Sequence, residues 1–486
     1  MEELSTLRAR LDAAGQGHVL RHWDELDDAG RARLADQLAA LDLSLLQRLA
    51  AEYVVRRPDA ALPTQIEPVE TYPQQPAPGD VTRTAMYRDA RARGLALLHE
   101  GKVGAFLVAG GQGTRLGYDG PKGEFPVTPI KRHPLFRVFA EQLRAWGRDA
   151  RRAIPWYIMT SDANDAATRA YFAANAHFGV DPGDVYFFQQ GMMPAFGSDG
   201  RLLLAGKDSL ALSPDGHGGS LRALAKSGAL ADMRRRGIEH LSYFQVDNPL
   251  VHCIDPLFLG LHDLTGSEMS SKMIPKAGPL EKVGNFVRGD GVLQVIEYSD
   301  LPESLARQTD AAGALRFNAG SIAIHALRTA FIERLTADGE LRLPWHRADK
   351  KVPFVDETGR SVEPTAPNAV KLEQFIFDAI PLASNAIVVD TDRAEEFSPV
   401  KNAEGVDSPA TCLRDQIRRA ARWLGEAAVE VPRQPDGEPD AVLEISPLFA
   451  PTAEHVRARG VPMTAVQPGG VLFLGPDGPE HADISG

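Results

Sequence analysis

Residues 107–117 read Leu-Val-Ala-Gly-Gly-Gln-Gly-Thr-Arg-Leu-Gly and overlap the end of a short apolar run, Val103 to Val108. The run predicts a buried strand. Four glycines within the eight residues 110–117 then remove side chains from the loop that leaves it. Glycine lets a backbone come close to a ligand and takes positive φ without steric cost. Successive bare N–H groups in such a turn form a concavity for anions. Arg115 adds a fixed positive charge, and Pro121-Lys122-Gly123 brings a second cation a few residues on. The loop is predicted to hold phosphates.

Two familiar phosphate loops fail on spacing. A P-loop needs G-x-x-x-x-G-K-[ST], and no Lys-Ser or Lys-Thr follows these glycines. A dinucleotide fingerprint starting at Gly111 and Gly113 needs its third glycine at position 116, where the chain has Leu116. A kinase of the first kind and a dehydrogenase of the second are therefore excluded.

From residue 103 to about 400 strand and helix patterns alternate. Pro134 to Trp146 predicts a helix with Leu135, Val138, Phe139 and Leu143 on its apolar face. Ile154–Ser161, Val185–Phe188 and His240–Val246 predict further strands. Alternation of this kind indicates an α/β domain with a mostly parallel, Rossmann-like sheet and its ligand at the carboxyl ends of the strands. Before it, residues 1 to about 56 are helical in pattern, and Leu34, Leu38, Leu41 and Leu45 fall on one helix face. Six prolines, at 58, 63, 68, 73, 76 and 78, then predict an extended connector without elements of its own. Val81 to about Glu100 predicts a helix leading into the first strand. After about 403 the pattern changes to a basic amphipathic helix, Leu413 to Ala428, and strand-like pieces at 441–445 and 470–474. The expected domains are a helical N-terminal cap with its connector (1–80), a catalytic α/β domain (81–402) and a small α+β C-terminal domain (403–486).

With 486 residues the chain is too long for one ordinary core. A net charge of −12 argues against nucleic acid or an anionic membrane as its main partner, so a phosphate site must gather cations locally. Only two cysteines, Cys253 and Cys412, leave no disulfide framework and no zinc spacing, as a reducing compartment would favour. The start, Met1-Glu2-Glu3-Leu4, lacks a basic region and an apolar core, and no stretch approaches the ~20 apolar residues of a membrane span. A cytoplasmic protein without a membrane partner is expected; its oligomeric state is not readable.

The glycine loop matches L-x-x-G-G-x-G-T-R-L, the signature of sugar nucleotidyltransferases, and with Pro121-Lys122-Gly123 the chain resembles the UDP-sugar pyrophosphorylase family, nearest its UDP-N-acetylglucosamine branch. The resemblance extends over residues 10 to about 450, from Gly15–Leu26 to Glu444-Ile445-Ser446-Pro447-Leu448. It implies a uridylyltransferase that joins UTP and a hexose 1-phosphate into a UDP-sugar and pyrophosphate, with Mg²⁺ or another divalent metal. It also implies site residues. Leu107, Ala109, Gly110, Gly111, Gln112, Gly113 and Thr114 would bind UTP, with Arg115 and Lys122 acting on its phosphates. Gln190, after the strand 185–188, and Gly216, in Ser213-Pro214-Asp215-Gly216-His217-Gly218-Gly219, would meet the uracil. Asp247, at the end of the strand 240–246, would meet UTP and the metal, a hard oxygen ligand suited to Mg²⁺. Lys371, in Pro367-Asn368-Ala369-Val370-Lys371-Leu372-Glu373, would contact the UTP phosphates. Lys401, in Ser398-Pro399-Val400-Lys401-Asn402, would contact the sugar phosphate. His217, Glu297, Tyr298 and Asn318 would hold the sugar.

One position departs from the pattern. The N-acetylglucosamine branch carries Asn where this chain has His217, and the UDP-glucose branch carries a G-H-G there. N-acetylglucosamine 1-phosphate is the expected substrate, with a UDP-glucose, UDP-galactose or broad-specificity enzyme as the alternative. A non-catalytic nucleotide-sugar-binding protein is the remoter reading, which the presence of Arg115, Lys122, Lys371 and Lys401 disfavours.

Overall fold

The computed structural model describes residues 4–57, 62–337, 339 and 341–481. The chain divides into two compact units. One gathers residues 1–62, 190–222 and 341–378; the other gathers 63–189, 223–340 and 379–486.

The larger unit is built on a ten-stranded mixed sheet. Its strands in chain order are β1 Ile66–Pro68, β2 Val103–Val108, β3 Trp156–Thr160, β4 Val185–Gln189, β5 His240–Gln245, β6 Met269–Pro275, β7 Asn285–Gly289, β8 Val292–Ile296, β9 Ala319–Arg328 and β10 Ala386–Asp390. The main path runs β1-β7-β9-β5-β2-β3-β4, with β6 pairing β9 and β10, and β8 pairing β7. Strands β5, β2, β3 and β4 are mutually parallel. Strand β9 then runs antiparallel to β5, and β6 and β7 antiparallel to β9. The parallel block expected from the sequence is thus about half of a mixed sheet. The other half contains the hairpin β7–β8, whose connection is too short to carry a crossover, and β10, which runs parallel to β6.

The helices α1 Val81–His99, α2 Leu135–Ala150 and α3 Pro256–Leu264 flank this sheet. The apolar core they share holds Phe136, Phe139, Trp156, Phe172 and Phe244 at 0% exposure. Residues 409–481 add a helix, α4 Pro409–Glu426, and a three-stranded sheet of 441–445, 470–475 and 478–481 with a small core of their own. The Ser408 hydroxyl and Thr411 close a capping box that starts α4.

Two expectations need correction. The leucines at 34, 38, 41 and 45 do not share one helix: Asp28–Ala39 ends and Leu43–Leu49 begins afresh, its first turn capped by the Asp42 carboxylate, which accepts from Leu45 N at 2.9 Å. In the proline-rich connector, Pro58 lies outside the described residues, and Ile66–Pro68 pairs with β7 as an edge strand. An already extended backbone needs little further ordering to join an edge, where a proline removes no bond the sheet requires.

In the smaller unit the helices of residues 4–54 share an apolar cluster with 193–210 and 355–372. Strand Ala369–Glu373 pairs with His346–Lys350 and with Phe196–Gly197. Among the described residues no helix is long and apolar enough to cross a membrane.

Candidate active site

The parallel register brings the carboxyl ends of β5, β2, β3 and β4 to one edge of the sheet, and the glycine loop opens there. Its carbonyls are tied down from β3 and the turn that follows. Ser161 Oγ donates to Gly110 O at 2.9 Å, and Asn164 Nδ2 donates to Ala109 O at 2.9 Å and Gly111 O at 3.3 Å. Gln112 Nε2 reaches Ala163 O at 3.1 Å. The amides of Gly110, Gly111 and Gln112 find no hydrogen-bond partner among the described residues, which leaves three adjacent donors for an anion. The loop closes on the next turn, with Gly113 N donating to Gly120 O and Lys122 N to Gly111 O. Arg115 projects from the short helical turn Thr114–Leu116 and is exposed.

Lys122 sits in the turn Lys122–Glu124, held by a close approach. A Cβ on Gly123 would lie 2.1 Å from the Phe136 ring, so only glycine lets the turn lie against α2. Burial pushes the Lys122 ammonium below its ordinary pKa; the Asp247 carboxylate opposes that, and Arg115 and Lys401 reinforce it. These four side chains therefore share one electrostatic field. Asp247 follows β5, and its carbonyl accepts from Val400 N at 2.8 Å, which fastens the segment that carries Lys401. The Lys401 ammonium stands 3.7 Å from Asp407 Oδ2 and 5.4 Å from the centre of the Phe397 ring. Asn248 braces the same junction, donating to Glu396 O at 2.6 Å and accepting from Ser398 N at 3.1 Å.

Glu297 and Asn318 lie on either side of β7. Glu297 directly follows β8, and Asn318 directly precedes β9, whose Gly320 pairs with Asn285. Tyr298 is 46% exposed.

The remaining predicted residues belong to the smaller unit. There the turn 213–219 is stitched to residues 374–376: Gln374 N donates to Asp215 O, Gly218 N to Gln374 O, and Ile376 N to His217 Nδ1 at 3.1 Å. Gly216 takes φ +86° and packs where a Cβ would meet Gln374 O at 2.4 Å. Asp215 N donates to Gly191 O, so Gln190 arrives beside the same turn, and Lys371 is on the strand that leads into Gln374. Beneath it the buried Asp215 carboxylate pairs with Arg222 at 2.5 Å.

His217 stacks on Phe375 with ring centres 5.3 Å apart and meets Phe377 edge-on at 5.9 Å; His346 stacks on the same Phe375 at 4.4 Å. Burial, with His346 beside it, pushes its pKa down to about 4. The ring is neutral at pH 7, and because Nδ1 accepts from Ile376, Nε2 carries the proton and is a donor.

Sequence reasoning missed the supports. Asn164, Ser161 and Asn248 sit next to recognised motifs, but their targets are backbone groups of distant segments. The Phe375, Phe377 and His346 stack gave no periodic signal. Ser161, ending a predicted strand in small polar residues, was the one visible hint.

A cradle of bare amides, with three cations around one carboxylate and, among the described residues of the site, no nucleophile hydrogen-bonded to a base, suits holding a polyphosphate and moving one of its groups to an acceptor. That is the work of a nucleotidyltransferase. Residues 70–407 match the UTP–glucose-1-phosphate uridylyltransferase family, and the chain belongs to it. It is 38% identical over 473 residues to the UDP-N-acetylhexosamine pyrophosphorylase-like protein 1 of Homo sapiens, covering 92% of this chain and 93% of that one. It is 34% identical over 435 residues to the UDP-N-acetylglucosamine pyrophosphorylase of Saccharomyces cerevisiae, covering 86% and 90%. Among solved structures it resembles the uridine diphosphate N-acetylglucosamine pyrophosphorylase of Trypanosoma brucei in complex with an inhibitor, with a TM-score of 0.80 at 28% identity over 94% of this chain and 95% of that one.

Proposed function

We propose that this uridylyltransferase makes UDP-N-acetylglucosamine and pyrophosphate from UTP and N-acetylglucosamine 1-phosphate. The observation that carries the reading is the near full-length similarity to relatives named for that sugar, at 34% identity, beside one named for UDP-N-acetylhexosamine at 38%. His217, a neutral Nε2 donor where the N-acetylglucosamine branch has Asn, favours the second reading of a UDP-glucose or broad-specificity enzyme. In either reading the enzyme is cytoplasmic and takes small-molecule substrates.

The chemistry asks for little beyond placement. A sugar-phosphate oxygen, already ionised at pH 7, attacks the α-phosphorus of UTP. The bond from that phosphorus to the bridging oxygen breaks, and pyrophosphate leaves with the electron pair. No general base is needed, so positioning and charge stabilisation carry the rate. In this assignment the amides of Gly110, Gly111 and Gln112 and the backbone from Leu107 through Ala109 to Gly113 and Thr114 cradle UTP. Arg115 and Lys122 stabilise charge on the departing pyrophosphate, Lys401 holds the attacking phosphate, and Lys371 steadies the UTP phosphates. Gln190 and Gly216 read the uracil; His217, Glu297, Tyr298 and Asn318 orient the sugar.

A divalent metal such as Mg²⁺ fits with one protein ligand. Asp247 is a hard carboxylate beside Lys122, and no group of three metal-ligating side chains occurs among the described residues. The remaining ligands would be phosphate oxygens and water, as Mg²⁺ commonly takes. When bound, it would neutralise phosphate charge.

The test is pyrophosphate release from UTP with a panel of sugar 1-phosphates. N-acetylglucosamine 1-phosphate should give the highest kcat/KM, and a preference for glucose 1-phosphate would move the assignment to the second reading. Arg115→Ala should lower kcat by about 10²–10³-fold with the fold retained. Unchanged kcat in that variant would sink the catalytic role of the loop.

A further inference from the structure

Lys276 directly follows β6 and is 8% exposed. The phosphate chemistry above makes no use of it. Among the described residues its ammonium forms no ion pair; it donates to Asn285 Oδ1 at 2.6 Å and to Pro279 O at 3.3 Å. Burial pushes its pKa below the ordinary value, with Glu281 opposing. The Glu281 carboxylate is itself taken, by Arg393 at 2.6 Å and by Ala277 N at 2.6 Å. A buried ammonium without a bonded counter-ion is costly, and methionine, of similar length and volume, would pack there more cheaply. Stability alone does not account for a lysine at this position.

The orientation of Asn285 does. Lysine donates and never accepts, so the Asn285 amide must turn its oxygen towards it, and the charge strengthens that bond. The amide nitrogen then faces Val283 O at 3.2 Å and Ile296 O at 3.4 Å. Ile296 ends β8, and Glu297 comes next. The Glu297 carboxylate rests against the backbone beside Asn285, since a Cβ on Gly284 would lie 3.3 Å from its Oε1.

On its other side Lys276 holds the approach to β9. Its backbone N donates to Asn318 O at 2.9 Å, and its Cγ lies 3.4 Å from where a Cβ on Gly320 would stand. Ser321 N donates to Gly284 O at 2.8 Å and closes the frame. Both polar residues assigned to the sugar are thus tied to one lysine, Glu297 through Asn285 and Asn318 through the main chain.

We propose that Lys276 is a positioning residue for the sugar: its ammonium, acting through Asn285, sets Glu297 relative to the Asn318 that its own backbone holds. This role rests on the reading of Glu297 and Asn318 as sugar contacts.

The test compares the Kd of UDP with that of UDP-N-acetylglucosamine or UDP-glucose, whichever binds tighter, by calorimetry on the full chain. The ratio of the two Kd values isolates what the sugar contributes. Wild type should bind the UDP-sugar more tightly than UDP. Lys276→Met should shrink that ratio by about fivefold or more, the worth of one or two hydrogen bonds, while the Kd of UDP stays within about twofold. In steady state the KM for the sugar 1-phosphate should rise by a similar factor and the KM for UTP should not. The double variant Lys276→Met/Asn285→Leu removes both partners and strands neither, so it should melt no lower than the single variant. It should still lack the sugar's contribution. A ratio unchanged in both variants, or one that recovers in the double variant together with its melting temperature, marks a purely structural lysine and overturns the proposal alone. A wild-type ratio near one overturns the sugar-contact reading and the role of Lys276 with it.

Discussion

The close approach beneath Lys122 offers a perturbation whose size can be worked out. In Gly123→Ala the new Cβ would lie 2.1 Å from Phe136 Cζ, about 1.4 Å short of the ~3.5 Å at which carbon atoms rest against each other. The ring has nowhere to go. Phe136 is fully buried and packs edge-on against Phe172 at 5.0 Å. The turn must therefore lift off α2, and overpacking of this kind costs about 1–3 kcal/mol. A misplacement of about 1 Å at a reacting group costs roughly 10²-fold in rate. Gly123→Ala should accordingly melt several degrees lower and lose about two orders of magnitude in kcat/KM for UTP. Phe136→Leu alone should cost about 1–2 kcal/mol and little activity, because a smaller side chain leaves the turn where it is. In the double variant the methyl occupies the space vacated by the ring, so its stability and kcat/KM should exceed the sum of the single losses by about 0.5–3 kcal/mol. Thermal melting and steady-state pyrophosphate release read the whole cycle. Wild-type kcat/KM in Gly123→Ala, or strict additivity, would refute the view that this packing places Lys122.

Lys122 titrates below its ordinary range, so the alkaline limb of kcat/KM should lie below the ~10.4 of a free lysine. Asp247→Asn removes the charge that opposes burial and should shift the limb further down; a stationary limb would exclude Lys122 as its origin. In the smaller unit, Asp215→Ala strands the mostly buried Arg222 and should cost about 3–5 kcal/mol, largely recovered in Asp215→Ala/Arg222→Met, as thermal melting can check. His240 is fully buried, and burial pushes its pKa down to about 4. The unfolded chain binds that proton first as pH falls, so stability should decline from about pH 6.5 towards pH 4, by at most roughly 3 kcal/mol from this group. His240→Gln should flatten that part of the melting-temperature profile, and an identical slope would assign the loss elsewhere.

The loop that opens at the end of β2 was visible before any fold. The glycine loop is a local statement: glycines after an apolar strand can be read from composition and spacing because bare amides and free φ are properties of single residues. The positions of β2 to β5, α1, α2 and α4 also followed from periodicity, since each buries one face or a whole run. The leucines at 34–45 misled for a related reason: four matched positions carry less weight than one capping aspartate, Asp42, which ends the pattern and starts another helix.

What no local reading could supply is company. That residues 1–62, 190–222 and 341–378 fold as one unit depends on contacts between segments more than a hundred residues apart. The same is true of the turn 213–219 meeting Gln374, and of Asp247 meeting Val400. The sequence by its own residue types determined that a glycine loop with bare amides and an arginine follows the end of a buried strand. Only the tertiary structure decided that Lys122 is half-buried, that Asp247 and Lys401 stand in its field, and that His217 presents a neutral donor. Burial and through-space charge depend on which segments pack together, and that is settled by the sum of many weak contacts spread over the whole chain.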